Sequence, residues 1–464
     1  GLKIHAFNAR MGTGELHASG ELAWPTAQPQ WSLQAQAKAF NPAWFAPAWP
    51  GTLSFDLHSE GMPAAFSVRV NQLTGRLRDR PVRGVAALTL SGQTLAVQQI
   101  DFASGRAVLQ ASGEVGGRGE LAWALEVPSL DDLLPNFAGT VQAHGSVAGS
   151  LSKPTLRGTL AMSSLAGPAF ALAKLHAEWD FDLATNHAAV FSLALADLHY
   201  TTMQLDALSL ALTGSSAAQT LQFTANQQTS RLDLTLQGQL TPKFGWRGQL
   251  TAGRWARAKA PVFQLNAPAD LALGSNTLTL GLQCWVGAGQ ACLQAIVDPQ
   301  HWQVRAEATA LNLMALPIVG DWQHGALTGA VVASGRGSVL ASLDGQWHLP
   351  AGELPGFTPE MPPLAHDGLA VSLATTSAAL TLDARLGVRQ PASLPLQLVL
   401  SLPDGPWDLA QWSTLPVRGR FTAQANDLAP WAALTGELAQ VTGKAHIDLR
   451  LHGTAAAPVW DGSG

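Results

Sequence analysis

The sequence predicts an all-β protein, a long repetitive antiparallel sheet, and three observations carry that expectation. Apolar residues recur at every second position in stretch after stretch, the period of a strand with one apolar and one polar face. Gly, Asn, Asp and Pro interrupt the alternation about every 8–12 residues, the spacing of an up-and-down meander. No apolar pattern of helical period is sustained over about ten residues or more.

The elements follow in order along the chain. Trp31 to Ala39 alternates as a strand, and Asn41-Pro42-Ala43-Trp44 then reads as one or two turns of helix, with Asn at the cap and Pro in the first turn. A second strand lies between Gly51 and Gly61. The same order returns as Trp123 to Val127, the turn Ser129-Leu130-Asp131-Asp132, and a strand from Gly139 to Gly149. Adjacent Asp131 and Asp132 diverge in direction, so a place in the first turn of a helix suits them better than an acid/base pair. Leu232, Leu234 and Leu236 alternate next. Leu271 to Val297 carries no charge, yet Asn276, Gln283, Gln290, Gln294 and four glycines make it strands, not a membrane-spanning helix. Trp302 to Ala310, the turn Asn312-Leu313-Met314 and the Gly325/Gly335 strand form a third copy. Leu369, Val371 and Leu373, then Leu380, Leu382, Leu386 and Val388, alternate before the last copy, Phe421 to Ala425, Asn426-Asp427-Leu428 and Gly443/Gly453, which contains Ile447, Leu449 and Leu451.

Repetition goes beyond common glycine. Gly139, Gly149, Pro154 and Gly158 share all their offsets with Gly443, Gly453, Pro458 and Gly462. The expected organisation is one continuous repetitive β segment over 1–464, a piece of a longer protein, with loose units around 20–61, 119–160, 302–335 and 407–464.

Cys284 and Cys292 are the two cysteines. A hairpin turning on Gly287-Ala288-Gly289 sets them opposite one another, at a separation a disulfide spans. That pairing implies an oxidising compartment, and two small buried thiols are the alternative. No His or acidic residue falls between or beside them, which argues against a metal site.

Composition narrows the function classes. Of 464 residues, 47% are apolar and 13% charged, with 27 basic against 32 acidic. A concentrated basic surface for nucleic acid is therefore not expected. There is no phosphate-binding loop, no Gly-x-Ser-x-Gly elbow and no His-Glu-x-x-His helix. The Gly113 to Gly119 cluster reads as turns, and the histidines, among them His144, His324, His348 and His452, are scattered singly. We expect no enzyme and no cofactor. Trp44, Trp49, Trp412 and Trp431 sit in or near Pro-containing turns, either packed there or placed at a rim where indoles meet lipid headgroups. A sheet apolar on one face must cover it with a second sheet, by closing into a barrel, by coiling as a β-helix, or by folding over a non-protein filling.

The run Leu134-Pro135-Asn136-Phe137-Ala138-Gly139-Thr140 through Gly149, with Pro154-Thr155-Leu156-Arg157-Gly158, resembles the recurring unit of the TamB family within the AsmA-like group. The cysteine hairpin followed by the Trp302 strand resembles the same family. The resemblance implies a β-taco, a sheet folded over an apolar groove in the Gram-negative periplasm that carries phospholipids towards the outer membrane. It also implies an inner-membrane anchor and the outer-membrane barrel protein TamA as partner, both through regions outside this segment, and a link to barrel assembly. On that reading the groove lining comprises Leu53, Phe55 and Leu57; Val141; Leu232, Leu234 and Leu236; Val371 and Leu373; Leu380 and Leu382; and Ile447, Leu449 and Leu451. Roughly 35 strands at about 4.8 Å would extend on the order of 170 Å. A chaperone offering sheet edges to nascent barrel strands and a β-helical adhesin passenger are the competing functions.

Overall fold

The computed structural model describes residues 1–25, 28–182, 189–201, 203–241, 245–258, 260–312, 325–354, 364–389, 392–403, 405, 407–429 and 442–463. Among them are 31 strands and a few short 3-10 turns. The chain divides into two compact units, Gly1–Gln228 and Thr229–Gly464.

In the first unit fifteen strands, from Leu2–Met11 to Ala218–Gln227, each pair antiparallel with the next in sequence. Cross-strand partners share a face, so the alternation of each strand adds up to long rows. One row steps through Phe7, Ala18, Ala35, Leu57, Val70, Ala86, Ile100, Ala111, Trp123, Gly145, Gly158, Trp179, Phe191, Leu212 and Leu221. Its neighbour on the same face steps through Ala9, Leu16, Ala37, Phe55, Leu73, Gly84, Phe102, Leu109, Leu125, Ala143, Leu160, Ala177, Leu193, Leu210 and Phe223. Neither row contains a polar side chain. On the opposite face His144, Thr159, Glu178 and Ser192 stand in line.

The capped turns sit between strands and tie rows together. Asn41 accepts from Ala43 N at 3.0 Å and Gly51 N at 3.1 Å, starting a single 3-10 turn, Pro42–Trp44. The second turn, Leu130–Asp132, has the two aspartates in its first turn, but Ser129 makes no side-chain cap to the backbone. Asp132 has another job. It is buried, and its carboxylate accepts from Arg106 N at 3.0 Å and Arg106 Nε at 3.1 Å, with Arg80 Nε at 3.4 Å. Arg78 joins both turns, donating to Ala48 O and Leu133 O while lying over the Trp49 ring.

The second unit keeps the meander with two departures. The strand Gly245–Arg257 pairs with two short segments, Phe263–Leu265 and Ala269–Leu273, and both pair onward with Leu278–Gly287. The two-residue strand Trp407–Asp408 runs back to Val339–Leu354. The two copies sharing glycine and proline offsets are equivalent hairpins: Gly149 lies opposite Pro154, and Gly453 opposite Pro458. All pairings among the described strands of each unit are antiparallel, unlike the parallel coil of a β-helical passenger.

The sheet faces are not closed into thick cores. The accessible surface is 26821 Å², whereas two compact globules of half this mass would together expose about 20,000 Å². Large side chains in the apolar rows stay partly exposed, Leu109 by 37% and Phe7 by 51%. A buried exception is His366, whose pKa is lowered by burial, with Asp367 opposing and Arg389 reinforcing the shift.

Three outcomes follow. Asp132→Ala leaves two arginines without their shared buried carboxylate and lowers the urea midpoint by an amount corresponding to about 1.5–3 kcal/mol; Asp131→Ala, at an exposed carboxylate, changes it less. Gly158→Val drives a side chain into the Trp179 ring, 2.5 Å from a Cβ placed there, and costs about 1–3 kcal/mol by the same assay. Because the folded state disfavours charged His366, its contribution is complete above about pH 6.5 and is lost as pH falls from there through the folded pKa; urea titrations at a series of pH values give a smaller decline over that window for His366→Leu.

Candidate functional site

The feature that stands apart chemically is the apolar face. Leu57 and Phe55 belong to the two long rows of the first unit, and Leu53 lies beside them, opposite Phe40 and Gly75. Val141 joins a third row through Val127 and Met162. In the second unit Leu232 faces Trp255, Leu234 faces Gly253, and Leu236 faces Leu250 across a bulge. Val371 continues through Ala384, Leu398 and Phe421 to Leu449, while Leu373 continues through Leu382, Leu400 and Gly419 to Leu451. Ile447 ends the row Leu369, Leu386, Leu396, Ala423, and Leu380 lies opposite Leu402. The register thus places the expected lining residues on the apolar face of their own unit. Four of them, Val141, Leu236, Leu380 and Leu451, are covered by protein, and Ile447 is exposed.

Cys284 and Cys292 face each other across their hairpin with Cα atoms 4.0 Å apart and are joined as a disulfide. Gly287 and Gly289 pair, leaving Ala288 as the tip. Cys292 is in register with Glu307, Ala330 and Gln346, so the bridge lies on the polar face and staples the hairpin from outside.

Sequence reasoning missed the aromatic residues within the rows. The Trp123 ring lies over Gly145, that of Trp179 over Gly158 and that of Trp302 over Gly335, each glycine the direct cross-strand partner. The absent Cβ gives each indole a flat seat. A signal existed, since tryptophans at apolar strand positions and glycines one strand away recur in the chain. Of the turn tryptophans, Trp49 packs against Arg78, whereas Trp44 and Trp412 are 61% and 59% exposed. Trp431, His324, Leu313 and Met314 lie outside the described residues.

Several arginines of the polar face pair with carboxylates. Arg157 pairs with Asp180 at 3.1 Å, Arg385 with Asp383 at 2.7 Å and Arg420 with Asp448 at 2.6 Å. Hydrogen bonds from Arg385 and Arg420 hold the Asp383 and Asp448 carboxyls below the usual carboxylate range. Among the described residues no three His, Cys, Asp or Glu converge as a metal site. Gly116 N, in the glycine cluster, donates to Gly149 O of the strand Ala138–Ser150 at 2.7 Å. His144 bonds to Thr159, and His452 lies 3.6 Å from Asp461. No helix among the described residues is long and apolar enough to cross a membrane.

Comparison with known proteins adds the family. The translocation and assembly module subunit TamB of Haemophilus influenzae is 26% identical over 245 residues, covering 51% of this chain and 19% of that relative. The chain therefore spans only a minor part of the length of that relative. The family model described as the TamB N-terminal domain matches residues 1–463, and the chain belongs to the TamB family.

Proposed function

We propose that this chain is the lipid-carrying part of a translocation and assembly module subunit, and that its apolar face holds phospholipid acyl chains in the periplasm between the two membranes. The observation that carries the reading is the pair of rows in the first unit. They cross fifteen strands without a polar side chain and leave residues such as Leu109 and Phe7 partly exposed. Such a surface gains about 0.8 kcal/mol for each CH₂ it removes from water. It offers an acyl chain no directional bond, so neighbouring positions along a row differ little in energy. Movement along the rows then needs no cofactor within the segment.

In the same proposal the longer protein is anchored in the inner membrane and meets TamA through regions outside this segment. Of the fourteen residues named from the sequence, the ten that protein does not cover form part of the lining, each within its own unit. Trp44 and Trp412, exposed in rim turns, suit the depth at which headgroups meet acyl chains. The function is carriage, not catalysis.

Lipid extraction and mass spectrometry of the protein, produced in an oxidising periplasm and purified without detergent, test the reading. We expect several phospholipids per folded chain and a clear reduction in a Leu234→Asp, Leu382→Asp, Leu449→Asp variant that keeps the β-sheet circular dichroism of the parent. A folded chain free of lipid would sink the proposal. Unchanged lipid in the variant together with impaired barrel assembly would favour the edge-pairing chaperone.

A further inference from the structure

One margin of the second unit is built from tight connections, 274–277, 298–301, 337–338 and 376–378. The connection after Leu394–Pro403 lies on the same margin and is different. Trp407–Asp408 passes back beyond the strands Ala379–Val388 and Leu364–Thr375 and pairs with Val339 and Leu340. Leu409 N donates to Ser338 O at 2.8 Å, and Asp408 accepts from Ala410 N at 3.0 Å to start the 3-10 turn Leu409–Thr414. The chain then reaches forward to the last hairpin, where Ala456 N donates to Ser413 O at 3.1 Å, Ala455 N to Leu415 O at 3.0 Å, and Val417 N to Gly453 O at 3.0 Å. Backbone hydrogen bonds fasten this strap at both ends.

What it fastens is an indole. Trp407 is 3% exposed and clusters with Leu340, Leu380, Trp302, Ala333, Leu343 and Leu402, with Leu415 from the strap itself. Register places the first six on the apolar face: Trp302 faces Gly335, which faces Leu340; Ala333 faces Leu343; Leu380 faces Leu402. The indole lies over the apolar face, at its margin. Leu398 and Leu449, further in, are outside this cluster and only half-buried.

We propose that the strap from Trp407 to Val417 is a lateral seal on the lipid-bearing face, with Trp407 as its plug. The inference rests on the lipid-carrying reading above. Protein occupies the place where acyl chains would otherwise cross this margin. Lipid in this stretch therefore sits on the inner rows and travels along the sheet, not over its edge. Removing the indole uncovers Leu340 and Leu380, and an apolar cleft of that kind accepts an acyl chain for the same reason the inner rows do.

Photo-crosslinking tests this at the level of single leucines. The protein is made with leucine replaced by its diazirine analogue, incubated with phosphatidylethanolamine and phosphatidylglycerol vesicles, irradiated, and its lipid adducts are mapped by mass spectrometry. Adducts are expected on Leu398 and Leu449 and absent from Leu340 and Leu380; in a folded Trp407→Gly variant they appear on Leu340 and Leu380 as well. Adducts on Leu340 or Leu380 with Trp407 in place overturn the seal and leave lipid carriage standing. Adducts on none of the four overturn both. The decisive comparison uses the unaltered strap, so it survives a variant that fails to fold.

Discussion

Everything in this structure follows from one constraint: strands paired in register, each alternating apolar and polar, can only build a layer that is apolar on one side. In an ordinary domain a second layer meets that side and the two bury each other. Here most successive strands in each unit pair with their neighbours in sequence, and the connections between them contribute local covers such as Leu130 and Leu133 or Trp407. Large side chains on that side, Phe7 and Leu109 among them, stay partly exposed. The excess of accessible area over that of compact globules expresses the same fact in another measure.

Holding such a layer together is chiefly a problem of register. A slip of one residue anywhere would move a strand's whole apolar set to the polar side. Bulges occur, as between Val70 and Leu73, yet Val70 pairs with Ala86 and Leu73 with Gly84, so both rows pass through intact. Several devices pin the register locally: the disulfide across the Cys284–Cys292 hairpin, the indoles seated on Gly145 and Gly158, and the Asp132 clamp that binds a turn to Arg80 and Arg106. They differ in chemistry but act alike. Each couples a particular residue to a particular partner, which uniform leucine and alanine rows cannot do.

The alternation, the turns at Pro42–Trp44 and Leu130–Asp132 and the cysteine pairing were legible in the sequence because each is local, decided within a strand or a hairpin. The matching glycine and proline offsets were legible too, and they mark equivalent hairpins at Gly149/Pro154 and Gly453/Pro458. What escaped was set by residues brought together across strands. Asp132 read as a helix-start carboxylate because its arginines lie 26 and 52 positions away in sequence, at Arg106 and Arg80. Trp407 carried no local signal because its pairing with Leu340 depends on a segment that crosses two strands. Within the rows, spacing alone could not separate leucines covered by protein, such as Leu380, from those left half-buried, such as Leu449.

The two faces also divide the chemistry in a way that bears on cargo. On the polar face Arg157, Arg385 and Arg420 are already satisfied by Asp180, Asp383 and Asp448, and exposed pairs of this kind attract a further anion weakly. With 32 acidic and 27 basic residues the chain exerts no net pull on phosphate. Recognition under the proposed function therefore falls on the acyl chains, through area. A surface that binds by area discriminates poorly, but it also releases without breaking directional bonds. Those two properties suit a path along which lipid must keep moving, and they place any selection of headgroup or direction in chemistry other than that of these rows.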